Sequence, residues 1–300
     1  MPRPPLAQNR SMAILDAARA GGYAVPGLCC YNIEAITATV RAAEAARSPA
    51  MVLLFPWAIE YGGETLVRAA AAAAHGASVP VSLHLDHAQT PELVRRAADM
   101  GSGSGSGPGG DSFDGFDSIM CDMSHYEKEE NLALTRELVA YCHARGIAAE
   151  AEPGRIEGGE DGVPATADLA AVLTTAEQAR EFVDTGIEML APAFGNVHGE
   201  YGPRGIRLEY DRLAAIDREV GDRVRLVLHG ADPFDEDTFR RCIEAGVTKV
   251  NINKGMNKHY AAVQEEMRGK PLTAVIEAGT ERMQKAIEQY MHWLGSAGKA

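Results

Sequence analysis

No apolar run in this chain approaches the ~18 residues that a membrane-spanning helix requires. The opening residues, MPRPPLAQNRSM, lack the apolar centre of a signal peptide. These two absences point to the cytosol. Basic charge is also scarce. The 29 Lys and Arg residues are outnumbered by 42 Asp and Glu, for a net charge of −13. Such a surface argues against nucleic acid as the main partner. It does not exclude an anionic substrate, because a metal and local cations set the field inside a cleft. Cysteine is sparse and odd in number, at positions 29, 30, 121, 142 and 242. The spacings suit neither a disulfide framework nor a zinc ribbon. The five read as small buried hydrophobes in a reducing compartment. Cys29 and Cys30 adjoin in a strand pattern, so their side chains should face opposite ways.

What is present is a rhythm of short apolar runs and longer helical patterns. The predicted strands are 22–28, 50–55, 79–85, 117–122, 147–152, 187–194, 223–229 and 247–252. They are rich in Val, Leu, Ile and Ala, as strands covered on both faces should be. Ile36, Val40 and Ala43 share one helical face, and so do Leu134, Leu138, Tyr141 and Cys142. Thr90 before Pro91 reads as an N-cap with proline at the first helical position. Thr174 with Glu177 reads as a capping box. Residues 272–294 form a long amphipathic helix, with Val275, Ile276, Met283, Ile287 and Met291 expected to be buried. Eight strands, each followed by a helix, predict a (β/α)8 TIM barrel, an α/β fold of ~250 residues in one domain spanning 1–300. An open doubly wound sheet is the alternative. The Gly/Ser-rich tract at 101–115 reads as a flexible insertion between a helix and the next strand. In a barrel that places it on the bottom face, away from the chemistry.

Three histidines stand out. His87, His198 and His229 each follow an apolar run, in VPVSLHLDH, EMLAPAFGNVHG and RVRLVLHG. At the ends of the third, sixth and seventh strands they would face one rim, where a barrel carries its active site. Three imidazoles there can hold one metal and leave a position open for substrate. His84, inside the third strand, reads as packed or as a support to this group.

Around these histidines the chain resembles the class II, metal-dependent fructose-bisphosphate aldolase family. The likeness runs in order through HLDHA (84–88), DSIMCDMSH (117–125), EAEPGRIEGGEDGV (150–163), FGNVHGEYGP (194–203), LVLHGAD (226–232) and KVNIN (249–253). It implies Zn²⁺, or another divalent ion, on His87, His198 and His229, and allows a monovalent cation beside it. It implies reversible aldol cleavage of a ketose bisphosphate, fructose 1,6-bisphosphate or tagatose 1,6-bisphosphate, to dihydroxyacetone phosphate and an aldehyde. Asp86 would move the C4 hydroxyl proton, and Glu160, in a mobile glycine-rich loop, the C3 proton. Asp122 and Glu152 would tune the site or accept a displaced metal. Asn32, Gly199, Gly230, Asp232, Asn251, Asn253 and Lys254 would contact substrate. The likeness also implies a homodimer or homotetramer working in glycolysis or other carbohydrate metabolism.

The phosphate region departs from the family. The usual HGGSG is His229-Gly230-Ala231-Asp232-Pro233 here, and Asp232 would repel phosphate unless neutralised. The NIDTD-like segment reads Asn251-Ile252-Asn253-Lys254-Gly255, and Pro56-Trp57 stand where a serine often contacts substrate. In one reading Lys254 and Arg204 replace the missing contacts. In another Asp232 pairs with Lys254, and a related carbon–carbon lyase takes a different, non-bisphosphorylated substrate. A zinc hydrolase, a non-catalytic binding protein and a Schiff-base role for Lys254 are further alternatives.

Overall fold

A computed structural model describes residues 6–101, 115–159 and 172–300. Its strands are β1 (Val25–Cys29), β2 (Ala50–Leu54), β3 (Val81–Ala88), β4 (Ser118–Cys121), β5 (Ala148–Ala151), β6 (Glu157–Gly158), β7 (Met189–Leu190), β8 (Val197–His198), β9 (Arg225–Leu228) and β10 (Val247–Ile252). Its α-helices are α1 (Arg10–Gly21), α2 (Ile33–Ala46), α3 (Pro56–Gly76), α4 (Pro91–Asp99), α5 (Lys128–His143), α6 (Ala176–Val183), α7 (Tyr210–Val220), α8 (Glu236–Glu244), α9 (Lys254–Glu266) and α10 (Leu272–Trp293). Parallel pairing closes a barrel in the order β1-β10-β9-β7-β5-β4-β3-β2. The closure removes the open doubly wound sheet. Each predicted strand overlaps a barrel strand, but β3 runs three residues past the predicted 79–85, and the predicted 187–194 shrinks to Met189–Leu190. The chain beyond it forms β8, which pairs with β6 in a separate two-stranded ladder.

Alternation along the strands sorts side chains into two apolar shells. The outer shell, between strands and helices, takes Cys30, Val52, Leu54, Leu83 and Leu85. The inner shell takes Cys29, Met51, Leu53, Met120 and Val227. Cys29 and Cys30 therefore do face opposite ways. Ile14, Leu15 and Ala18 of α1 join the inner shell, so α1 plugs the barrel floor. Asn9 fixes this plug. Its side chain accepts from Met12 N at 3.2 Å, capping α1, and donates to the carbonyls of Asp117 (2.7 Å) and Gly146 (3.0 Å). The apolar floor leaves the opposite end of the barrel for polar groups.

The helix signals hold with two corrections. Thr90 caps α4, accepting from Leu93 N. The capping box sits one residue later than predicted, on Thr175 and Gln178, because the Thr174 hydroxyl is taken by Ala193 N at 2.9 Å. In α10, Met283, Ile287 and Met291 are buried, whereas Val275 and Ile276 are only partly covered. Most of the Gly/Ser tract lies outside the described residues. Its flanks, α4 and β4, make it a helix-to-strand connection.

Candidate active site

His87 sits in β3 at a register shift between Leu85 and Ala88, with φ of 47°. A non-glycine residue in this left-handed region costs about 1–2 kcal/mol, and the bulge turns the imidazole inward. His229 directly follows β9. His198 is not at a barrel strand end as predicted; it belongs to β8 in the β6–β8 ladder, outside the closed sheet. The local turns need glycine. Gly230 has φ of 70°, and a Cβ there would lie 2.3 Å from the Val197 carbonyl oxygen. That carbonyl belongs to β8, so the glycine lets the His229 and His198 segments touch. Tyr201 bolts the same junction, donating to the Gly230 carbonyl at 2.8 Å and accepting from Val197 N at 3.1 Å.

The three imidazoles converge. His229 Nδ1 lies 3.1 Å from His87 Nε2 and 3.4 Å from His198 Nε2. Nitrogens bound tetrahedrally at ~2.0–2.1 Å from one zinc ion stand about 3.3–3.4 Å apart. The outward nitrogens are tied down. His87 Nδ1–H donates to Asp122 Oδ2 at 2.8 Å, and His229 Nε2–H donates to Glu150 Oε1 at 2.8 Å. Because a carboxylate only accepts, these bonds fix the tautomers and turn the remaining lone pairs toward the centre. Asp122 is oriented in turn by the Ser124 hydroxyl at 2.7 Å. The donor set thus fits a divalent metal.

The carboxylates around it are held unequally. Burial pushes the Glu152 carboxyl up to about 8, with Asp122 adding to the rise. One Glu152 oxygen accepts from Ile156 N at 2.7 Å, and the other is buried with no hydrogen-bond partner. Such an orphaned oxygen beside His87 and Asp122 also suits a cation, and these three residues form a second metal-capable group. Asp86 is buried. Its Oδ2 accepts from Asn251 Nδ2 at 2.7 Å, while Oδ1 has no hydrogen-bond partner. Gly27 on β1 makes room for Asn251, since a Cβ there would meet Asn251 Oδ1 at 3.0 Å.

The structure adds groups that sequence reasoning missed. Glu150 and Lys249 are fully buried in the barrel interior, with Lys249 Nζ 2.7 Å from Glu150 Oε2. His84, packed as expected, bonds Ser118 at 2.8 Å, and burial pushes its imidazole down to about 3. The only available signal was two charged residues in otherwise apolar strand patterns.

A cavity of about 880 Å³ opens beside this centre, lined by Asn32, Trp57, Gly199, Asp232, Asn253 and Lys254 among others. Asn32 also caps α2, accepting from Ala35 N at 2.9 Å. Tyr31 donates to Asn253 Oδ1 at 3.1 Å. Each of the two rival readings loses a contact here among the described residues. Asp232 does not pair with the Lys254 ammonium; it binds backbone N–H groups. Arg204 does not line the cavity; it pairs with exposed Glu157 at 3.3 Å. Glu160 lies outside the described residues.

Three converging imidazoles on a closed parallel barrel make the framework of a metal-dependent enzyme. Residues 9–299 match the family described as fructose-bisphosphate aldolase class-II. The chain is 58% identical, over 100% of its length and 98% of the relative's, to a Coccidioides immitis (strain RS) protein provisionally named fructose-bisphosphate aldolase. A fructose-bisphosphate aldolase of Streptococcus pyogenes serotype M6 is 34% identical, over 95% of this chain and 97% of that one. A crystal structure from Coccidioides immitis, described provisionally as a fructose-1,6-bisphosphate aldolase, superposes with a TM-score of 0.92 at 57% identity, covering 98% of each chain. The YdjI aldolase of Escherichia coli K12 gives 0.78 at 26% identity, covering 96% of this chain and 97% of that one. The chain belongs to the class II fructose-bisphosphate aldolase family, and is an aldehyde-lyase of that metal-dependent group. Among the described residues no helix is long and apolar enough to cross a membrane.

Proposed function

We propose that this protein cleaves a ketose bisphosphate, fructose 1,6-bisphosphate or tagatose 1,6-bisphosphate, to dihydroxyacetone phosphate and an aldehyde, and runs the reverse condensation. His87, His198 and His229 would hold Zn²⁺, which would supply a Lewis acid at the ketose carbonyl. Asp86 takes the C4 hydroxyl proton in cleavage and returns it in condensation. Its free Oδ1 is the accepting atom, and the Asn251 bond to Oδ2 keeps the carboxylate aimed. Glu160 exchanges the C3 proton, a role that rests on the resemblance of its loop alone. Asp122 and Glu150 hold the ligand rings, and Glu152 offers the alternate oxygen to the cation. The enzyme works as one barrel domain in a cytosolic homodimer or homotetramer.

The observation that carries this reading is the meeting of three imidazole nitrogens whose outer nitrogens are already bonded. A coupled assay for dihydroxyacetone phosphate release from both bisphosphates tests it. Turnover of either, dependent on added zinc, supports the assignment; no release from either removes it.

A further inference from the structure

Asp232 departs from the family motif, and its carboxylate has a definite place. Oδ1 accepts the backbone N–H groups of Asn253 and Gly255, each at 2.9 Å, and Oδ2 accepts that of Lys254 at 3.0 Å. These groups open α9, a helix of 13 residues. Converging N–H groups and the helix dipole make such an end a ready anion site. Here the protein's own carboxylate fills it. Gly255 permits the close fit, because a Cβ there would lie 3.2 Å from Asp232 Oδ1 and 2.2 Å from the Tyr290 hydroxyl. A phosphate entering this end would meet a fixed negative charge and donors already engaged.

The positive charge facing the cavity lies elsewhere. Lys254 and Lys258, one turn apart on α9, both line it. Such i, i+4 side chains stand side by side on one helix face. Among the described residues no carboxylate is paired with either ammonium, although Glu200 also lines the cavity. Lys254 Nζ lies 3.8 Å from where a Cβ on Gly199 would be. Gly199 follows His198, so this ammonium stands near the metal-capable centre. Besides Asp232 and Glu200, the remaining polar lining, which includes Asn32, Asn253, Asn257 and Gln264, is neutral.

We propose that the substrate's phosphomonoester is held by the ammonium groups of Lys254 and Lys258, and that Asp232 closes the α9 N-terminus to it. This rests on the aldolase reading for the identity of the ligand. Lysines bind phosphate as point charges without the directionality of a backbone cradle. The anchor has moved from the helix end to the side chains of its first turns.

The test is calorimetric titration of the zinc-loaded full chain with dihydroxyacetone phosphate, with unphosphorylated dihydroxyacetone as control. The double variant Lys254→Met/Lys258→Met should bind the phosphate ester at least thirtyfold more weakly, with dihydroxyacetone binding unchanged. Asp232→Ser keeps a residue suited to capping a helix and frees donors, so it should bind the ester several-fold more tightly. Zinc content and circular dichroism confirm folding, and Lys258→Arg should restore most of the affinity lost in Lys258→Met. Affinity of the double lysine variant within twofold of wild type overturns the proposal, as does unchanged or weaker binding by Asp232→Ser. Failure of the aldolase reading gives a different pattern: no ketose is cleaved, while lysine-dependent binding of the ester persists.

Discussion

Glu150 Oε1 accepts the Nε2–H of His229 at 2.8 Å, deep in the barrel where neither group meets solvent. The other oxygen accepts from Lys249. Burial alone would push the Glu150 carboxyl up; the Lys249 charge and the His229 bond more than reverse this and hold it well below the usual range. An ionised Glu150 keeps the proton of His229 on Nε2 and its Nδ1 lone pair toward the other imidazoles. Partners of this kind typically contribute 10–100-fold in metal affinity. Glu150→Gln should therefore weaken zinc binding by roughly that factor, read by competition with a chromogenic chelator.

The same carboxylate makes a stability prediction. Removing one partner of a buried ion pair leaves an uncompensated charge, at a cost of about 3–5 kcal/mol. Lys249→Met should lose that much in urea unfolding of the metal-free protein. Adding Glu150→Gln should recover part of it. Strictly additive losses would show that the pair is not coupled.

Asp86 is predicted to act on substrate rather than on the metal. Asp86→Asn should lower kcat by about 10²–10⁴, the usual contribution of a positioned acid or base, with zinc stoichiometry unchanged. Loss of zinc in step with activity would instead make Asp86 a support for the metal site. Asn251→Ala, which frees Asp86 Oδ2, should produce a smaller fall in kcat.

All five cysteines are buried. Burial pushes the Cys30 and Cys242 thiols up to about 12. This disfavours the thiolate, which is the reactive form. Native protein should thus resist alkylation at pH 8 and take up five labels only after denaturation, counted by mass spectrometry. Rapid labelling of the native protein would contradict the packing described.

Much of the barrel was legible because strands covered on both faces leave continuous apolar runs, and each run overlaps a barrel strand. His87 and His229 were legible as polar residues closing such runs. The His198 ladder was not, because Met189–Leu190 and Val197–His198 belong to different sheets and the partner strand, Glu157–Gly158, is only two residues long. Glu150 and Lys249 stayed hidden because their pairing spans 99 residues and each alone reads as an exposed strand residue. Asp232 was recognised as a departure, yet its partners could not be: sequence distinguishes neither a backbone N–H from an ammonium nor a helix end already capped. Thr174 and Thr175 illustrate the same limit, since either threonine satisfies the capping pattern and a tertiary bond to Ala193 decides between them.

The central claim is that three imidazoles hold the electrophile. Its most direct test is to strip the full-length protein with a chelator, verify metal content by mass spectrometry, and assay cleavage of both bisphosphates before and after stoichiometric zinc. The account predicts loss of cleavage on stripping, recovery at one zinc per chain, and no adduct after borohydride treatment. Undiminished cleavage by metal-free protein, with a reduced adduct on Lys254, would contradict it.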